Sequence, residues 1–276
     1  MLHFVRSLSL LFLPAGLLLA GAVYPQASPP AQQAPQTAAA AATSGTPPNI
    51  APRQEPPGLN VVVLDPAHGG MDTGARGAGG IRESNLVLAL AGQIRAALEK
   101  QGLTVLQTRR GDDGPSLDDR ASLANAQRNA IFISLHVGST GLPGTVRVYT
   151  LPAPQGVPPA AGALLPWDRA QNAFVAMSRK LADLAQVQLS LRFKGSPQNA
   201  SEAAVRQLNS VALPAIAVEL ANVSVQDPAL IERMMPGVAD GVAEAVRSFK
   251  QAYDAELAHG APSVPPAAPP APGSVR

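Results

Sequence analysis

The sequence lacks cysteine altogether and is poor in histidine, aromatic residues and charge. The absence of cysteine among its 276 residues excludes disulfide bonds, thiolate zinc sites and a cysteine nucleophile. It also excludes the modified cysteine that anchors bacterial lipoproteins. Charged residues make up 14% of the chain, the net charge is +2, and no dense run of lysine and arginine occurs. This charge balance gives no reason to expect nucleic acid as a partner.

The N-terminal residues have the layout of an export signal. Arg6 supplies a positive charge, an apolar run extends from Leu8 to Leu19, and Ala20-Gly21-Ala22 offers small residues for cleavage. We therefore predict a signal peptide over residues 1–22 and export to the periplasm or cell-wall space. Because the apolar run is short for a transmembrane helix, we expect membrane attachment only if the signal stays uncleaved.

Two segments rich in proline and alanine flank a central region of ordinary composition. Residues 23–58 and 256–276 contain few large apolar side chains, so neither segment buries enough surface to offset the entropy lost on ordering. We predict a disordered linker and a disordered tail at these positions. Residues 59–255 remain as one domain of normal size.

The central region alternates between strand-like and helix-like patterns. The first strand-like run, Val61–Leu64, precedes a helical pattern whose apolar residues recur every four positions from Leu86 to Leu98. Ser84 or Asn85 is the expected cap of that helix. Repetition of this alternation predicts an α/β fold, with a single twisted sheet of about six mainly parallel strands and helices on both faces.

Three later stretches carry further structural signals. Ala204–Leu208 is expected to form a short strand, and the proline-rich segment Leu151–Pro166 is expected to form an irregular surface excursion. The closing helix is expected over Asp227 to Tyr253, with Pro236 marking a kink or a fresh helix start.

Two of the four histidines fall inside the predicted domain, and both follow strand-like runs. His68 comes after Val61–Asp65, and His136 comes after Ile131–Leu135. The carboxyl ends of parallel strands share one edge of a sheet, which is where ligands bind in open α/β folds. We therefore expect the two imidazole rings to face a common point.

Two glutamates are predicted at the same edge. Glu83 begins the first helix, and Glu219 ends the apolar run Ala215–Val218. Two imidazoles and one carboxylate are a common zinc set, and a second carboxylate can take a proton from zinc-bound water. Ordinary structural roles compete with this interpretation, since a loop histidine is often only hydrogen-bonded and a first-turn acid is favoured by the helix dipole. A carboxylate at the end of an apolar strand is harder to explain without a partner.

Five short motifs, in chain order, resemble those of the zinc-dependent N-acetylmuramoyl-L-alanine amidases of the AmiA, AmiB and AmiC type. Leu64–Gly70 is similar to the Asp-Pro/Ala-Gly-His-Gly-Gly strand end of that family, and Phe132–His136 is similar to its Phe-Ile-Ser-Ile-His strand. The other resembling stretches are Ile81–Leu86, Thr108-Arg109 with Leu117–Asn125, and Pro214–Leu220. The resemblance as a whole covers essentially Leu59–Tyr253.

This resemblance implies that His68, Glu83 and His136 bind one zinc ion and that Glu219 is the catalytic acid and base. It further implies the family's six-stranded α/β sheet and hydrolysis of the amide between N-acetylmuramic acid and L-alanine in peptidoglycan, as in cell-wall remodelling and daughter-cell separation. A protein activator is an additional possible partner, because some members carry a helix that plugs the site until an activator displaces it. The prolines of Leu151–Pro166 fit a fixed loop better than a plug, which favours constitutive activity.

The chain departs from the family pattern around the expected site. Ala67 stands where glycine is usual, Val137-Gly138 replaces Ala-Asn, and Ala221 and Asn222 replace Gly-Phe after the catalytic glutamate. These departures motivate an alternative, a catalytically weak or inactive amidase-like protein that binds peptidoglycan. A zinc peptidase that cuts within the stem peptide is a third hypothesis. Asp65 is expected to be a turn acid or to hydrogen-bond a ligand or a loop amide.

Overall fold

The computed structural model describes residues 58–139, 141–154, 166–223 and 229–260 of the chain. The predicted signal peptide, almost all of the predicted linker and most of the predicted excursion lie outside the described residues. No helix within the described ranges is long and apolar enough to cross a membrane.

The described residues form one six-stranded sheet. Its spatial order is β2-β1-β3-β6-β4-β5, and every neighbouring pair is parallel except β4 and β6. The prediction of a single, mainly parallel sheet of about six strands is therefore confirmed. The strands are β1 (Val61–Pro66), β2 (Thr104–Gln107), β3 (Ala130–Gly138), β4 (Thr145–Thr150), β5 (Ser201–Glu202) and β6 (Ala215–Ala221).

Helices cover both faces of the sheet, as predicted. The helices are α1 (Glu83–Glu99), α2 (Leu117–Asn125), α3 (Val175–Arg192), α4 (Arg206–Asn209) and α5 (Ala229–Gly260), with 3-10 turns at Ala78–Gly80 and Trp167–Ala173. Helices α1, α3 and α5 enclose the larger apolar core on one face, and α2 and α4 enclose a smaller core on the other.

Strand alternation decides which side chains face the smaller core. Leu64 of β1 packs into the larger core, whereas its neighbour Val63 packs into the smaller one. Successive side chains of a strand point to opposite faces, so Asp65 lies on the same face as Val63. By the same alternation His136 and Glu219 lie on that face, beyond the apolar residues that fill the smaller core.

The first helix begins differently from the expectation. Its N-cap is Arg82, whose side chain makes no capping bond, so neither Ser84 nor Asn85 is the cap. The glycine-rich loop takes over that role, because the carbonyl of Ala75 accepts the amide of Glu83 and the carbonyl of Thr73 accepts that of Ser84. Carbonyls contributed by a loop satisfy the unpaired amides of a helix start as well as a capping side chain does.

Two further local predictions are wrong. Ala204–Leu208 forms no strand; a two-residue strand, β5, precedes it and the short helix α4 covers Arg206–Asn209. The closing helix α5 runs through Pro236, so no fresh helix starts there, and it continues to Gly260, so the first residues of the predicted tail 256–276 are helical. The start of the domain contacts the turns just before these residues, because the Leu59 amide donates to Asp254 Oδ1 at 2.7 Å and Lys250 Nζ donates to the Leu59 carbonyl at 2.5 Å.

Candidate metal centre

The loop after β1 brings His68 to the carboxyl edge of the sheet in a left-handed backbone conformation, with φ of 63°. Gly74 closes the loop over the histidine with φ of 62°. A Cβ atom at this glycine would lie 2.6 Å from Glu83 Oε2 and 2.6 Å from His68 Cδ2. The glycine is therefore required for His68 and Glu83 to approach each other.

His68, Glu83 and His136 form one cluster. His68 Nε2 lies 3.2 Å from Glu83 Oε2, and His136 Nδ1 lies 3.1 Å from Glu83 Oε1. One donor atom from each of the three residues lies within 4.8 Å of the other two, and within the described ranges no other histidine and carboxylate group meets this criterion. The two rings stand edge to face, with centroids 5.6 Å apart. The structure thus brings together the three ligands that were expected from the sequence.

The donor set fits zinc. Two imidazole nitrogens and one carboxylate are ligands that zinc prefers, with a fourth position left for water. His68 Nδ1 contacts Asp72 Oδ2 at 2.8 Å, which directs Nε2 towards Glu83. A carboxylate on the far ring nitrogen is the usual way in which proteins orient a histidine ligand.

The pKa values of the cluster reflect its hydrogen bonds. Burial works to raise the pKa of Glu83, but bonds from His136, His68 and the amides of Ala75 and Val137 hold it well below its ordinary value. The hydrogen bond with Glu83 raises the pKa of His68, burial opposes this, and Asp72 adds to the rise. Glu83 is therefore a carboxylate at neutral pH, as a metal ligand must be.

After zinc is removed with a chelator, this cluster is expected to stabilise the fold most in mildly acidic solution. Because the pKa of His68 is raised, its contribution is complete below the ordinary value of 6.5 and is lost as pH rises through the raised value. Because the pKa of Glu83 is lowered, its contribution is complete above 4.5 and is lost as pH falls through the lowered value.

We therefore expect the melting temperature of the zinc-free protein to fall as pH rises above about 6.5. The variant His68→Asn serves as the control, since asparagine tolerates the left-handed backbone but does not titrate. A calorimetric pH series checks the prediction, and an equal fall in the variant would contradict it.

A buried carboxylate lies behind the cluster. Asp65 is fully buried and accepts hydrogen bonds at Oδ1 from Thr108 Oγ1 at 2.7 Å and Arg120 Nη1 at 2.6 Å. Its Oδ2 accepts from Ser134 Oγ at 2.8 Å, and the same Oγ lies 3.3 Å from His136 Nε2. The Asp65 carboxylate thus accepts hydrogen bonds from two hydroxyls and a guanidinium. None of these donors is the loop amide that was expected.

Two buried arginines hold the loop that carries His68. Arg109 donates to the carbonyls of Pro66, Ala67 and Ser84 at 2.7–2.9 Å, and Arg120 Nη2 donates to the carbonyl of His68 at 2.8 Å. Burial, and then the charge of Arg120, lower the pKa of Arg109. Both arginines belong to motifs on which the family resemblance rests. The sequence did not show that they donate hydrogen bonds to the carbonyls of the His68 loop.

Glu219 stands beside the cluster on β6, directly in register with His136 on β3. Tyr149 of β4 donates its hydroxyl hydrogen to Glu219 Oε1 at 3.3 Å. Burial and the charge of Glu219 raise the pKa of Tyr149, so the hydroxyl keeps its proton. Sequence reasoning missed Tyr149, although its position in the alternating pattern of β4 places it on the same face as Glu219.

Two adjoining cavities flank the cluster. One, of about 230 Å³, is lined by His68 and Arg120 among others, and the second, of about 310 Å³, is lined by His136, Tyr149 and Glu219 among others. Gln207 of α4 lines both cavities, so the two lie next to each other at this edge of the sheet. Open space therefore adjoins both histidines of the cluster.

The departures from the family pattern do not displace the cluster. Ala67 and Val137 are buried, and the amide of Val137 donates to Glu83 Oε1 at 3.0 Å. A Cβ atom at Gly138 would lie 3.0 Å from the Glu219 carboxyl carbon, so any side chain there would press on Glu219. Ala221 ends β6 and is buried, and Asn222 follows it.

Comparisons with known proteins identify the family and the fold. The family described as N-acetylmuramoyl-L-alanine amidase matches residues 62–247. AmiA of Escherichia coli K12 is 44% identical over 79 residues, which are 29% of this chain and 27% of that protein. Ami1 of Mycobacterium smegmatis has a solved structure that covers 71% of this chain and 99% of its own, with a TM-score of 0.57 at 21% identity.

A second solved structure, the CwlD amidase from Clostridioides difficile in complex with the GerS lipoprotein, has a TM-score of 0.56 at 16% identity and covers 70% of this chain and 99% of its own. At such identities these two structures show a shared fold. The segment that matches AmiA spans about a quarter of that protein's length. The family match itself extends over most of the chain and includes every residue of the cluster. The chain therefore belongs to the N-acetylmuramoyl-L-alanine amidase family.

Proposed function

We propose that this chain is an exported, zinc-dependent amidase that hydrolyses the bond between N-acetylmuramic acid and L-alanine in peptidoglycan. The observation that carries the proposal is the cluster of His68, Glu83 and His136 with Glu219 in register beside it. Family membership supports the reaction, and the cavities beside His68 and beside His136 leave room for a substrate on both sides of the cluster. The work of such an enzyme is cell-wall remodelling, including separation of daughter cells.

His68, Glu83 and His136 would hold the zinc ion. Zinc bound there supplies a Lewis acid for the scissile carbonyl and lowers the pKa of the attacking water. Glu219 takes the proton of that water on its carboxylate and then gives it to the leaving amine of L-alanine. The Tyr149 hydroxyl occupies Oε1 of Glu219, which leaves Oε2 for the proton.

Digestion of purified peptidoglycan tests the proposal. We expect the purified chain to contain about one zinc ion and to release stem peptides that begin with a free L-alanine amine. A chelator should stop the release, and added zinc should restore it. Mass analysis of the products separates the other hypotheses, since cleavage within the stem peptide identifies a peptidase, and co-sedimentation without any release identifies a binding protein.

Export and constitutive activity complete the proposal. The charged start, apolar run and small residues of positions 1–22 support export to the periplasm or cell-wall space. One family structure contains a lipoprotein partner, which supports a search for a partner of this chain. If the purified chain digests peptidoglycan without any added protein, constitutive activity is supported. A large gain in activity on adding an envelope extract would instead identify an activator.

A further inference from the structure

We propose that Ser134 and Asp65 are positioning residues that determine which ring nitrogen of His136 faces the metal. This inference rests on the zinc site of the proposed function. It concerns a chain of three side chains, His136, Ser134 and Asp65, that runs from the cluster into the protein interior. We refer to these three residues as the relay.

The hydrogen bonds of the relay have one consistent direction. A serine hydroxyl has a single hydrogen, and a carboxylate can only accept. Because Asp65 Oδ2 accepts from Ser134 Oγ at 2.8 Å, the hydroxyl has no hydrogen left for the ring. The contact of 3.3 Å between Ser134 Oγ and His136 Nε2 is therefore made by a hydrogen on Nε2.

The opposite direction is unfavourable. If the Ser134 hydroxyl donated to the ring, Asp65 Oδ2 would lose its donor, although Asp65 and Ser134 are both fully buried. An unsatisfied charged oxygen in the interior costs more than a long bond to the ring gains. Burial of Asp65 therefore favours the direction in which the serine donates to the acid.

When zinc is bound and the ring is neutral, this direction leaves Nδ1 of His136 without a hydrogen, whereas in the zinc-free protein Nδ1 hydrogen-bonds to Glu83. Nδ1 is the ring nitrogen that faces the cluster, 3.1 Å from Glu83 Oε1, and its lone pair is then free for a metal ion. A neutral histidine binds metal through one nitrogen while the hydrogen bond of the other nitrogen sets the ring orientation. Asp72 orients the His68 ring by a direct hydrogen bond. Asp65 orients the His136 ring through the hydroxyl of Ser134.

Arg120 connects the supports of both histidines. Its Nη1 contacts Asp65 Oδ1, and its Nη2 donates to the carbonyl of His68. The guanidinium therefore balances the charge at the inner end of the relay and fixes the backbone of the other histidine. His68 follows β1 and His136 lies on β3, but Arg120 of α2 supports both of them.

The test compares Ser134→Ala with Thr108→Val. Each substitution removes one hydroxyl donor from the Asp65 carboxylate, but only Ser134 leads to His136. We expect Ser134→Ala to weaken zinc binding by about 10–100-fold in a chelator competition assay, and Thr108→Val to leave it within about threefold. Melting of the two zinc-free variants reports the loss of stability, which should be larger in Ser134→Ala, because Asp65 Oδ1 keeps Arg120 as a donor when Thr108 is replaced.

Nitrogen NMR of the histidine ring gives a second readout that does not depend on activity. In zinc-loaded protein we expect hydrogen on Nε2 of His136 and metal on Nδ1, with the Nε2 signal shifted in Ser134→Ala. Equal zinc affinity in the two variants, or zinc on Nε2, overturns the relay. Neither measurement requires peptidoglycan cleavage, so a protein that binds zinc in this way but cuts nothing would disprove the proposed function and leave the relay intact.

Discussion

Replacement of Glu219 with glutamine is expected to slow amide hydrolysis by about 10²–10⁴-fold while the zinc content stays the same. Glutamine has the size of glutamate and can still accept a hydrogen bond from Tyr149 through its carbonyl oxygen. It cannot take a proton from water at neutral pH, so the general base is lost. Since Glu219 is not part of the three-residue cluster, the metal ligands remain.

Release of stem peptides from purified peptidoglycan, together with zinc analysis, measures this effect. The matched control is Glu202→Gln, because Glu202 is an exposed glutamate on β5 whose described partner is Arg179 at the surface. We expect that control to digest peptidoglycan at the native rate. Full activity in Glu219→Gln, or loss of its zinc, would contradict the role assigned to Glu219.

Replacement of Arg120 with methionine is expected to lower the free energy of unfolding by about 3–5 kcal/mol. The side chain of Arg120 is only 6% exposed and that of Asp65 is fully buried, so removal of the guanidinium leaves an uncompensated charge in the interior. The carbonyls of Pro66 and His68 lose donors at the same time. A hydrophobic side chain of similar length fills the space but satisfies none of these groups.

Denaturant unfolding of the zinc-free protein measures this loss. The control is Arg95→Met on α1, where Arg95 pairs with Glu99 at the surface and the expected effect is below about 1 kcal/mol. The double variant Asp65→Asn with Arg120→Met should lose less than the sum of the single variants, because the charge and its partner are removed together. An Arg120→Met loss no larger than that of Arg95→Met would show that the pair has little influence on stability.

Local composition was a good guide to the main elements. Runs of β-branched and apolar residues predicted the central strands, and the four-residue recurrence from Leu86 to Leu98 predicted α1. Both are short-range properties that the sequence displays directly. The failed predictions concern places where residues distant in sequence make contacts. Loop carbonyls satisfy the amides at the start of α1, and Leu59 bonds to Lys250 and Asp254 in the later turns of α5.

The cluster was predictable for a different reason. The carboxyl ends of parallel strands lie at one edge of a sheet. Because His68 and His136 each follow an apolar run, the sequence already predicted that their rings face a common site at that edge. Local patterns in the chain were therefore sufficient to predict the fold class and to single out the two histidines and the two glutamates. Motif resemblance then indicated zinc and the reaction.

The orientation and support of these groups depend on contacts that form only in the folded protein. The direction of the His136 hydrogen bond depends on Ser134 and Asp65, and the charge of Asp65 depends on Arg120, which is 55 residues away in sequence. The contact of Tyr149 with Glu219 depends on β4 being antiparallel to β6. These contacts join residues far apart in the chain, and no local pattern encodes them, because each exists only once the sheet has paired and the smaller core has closed.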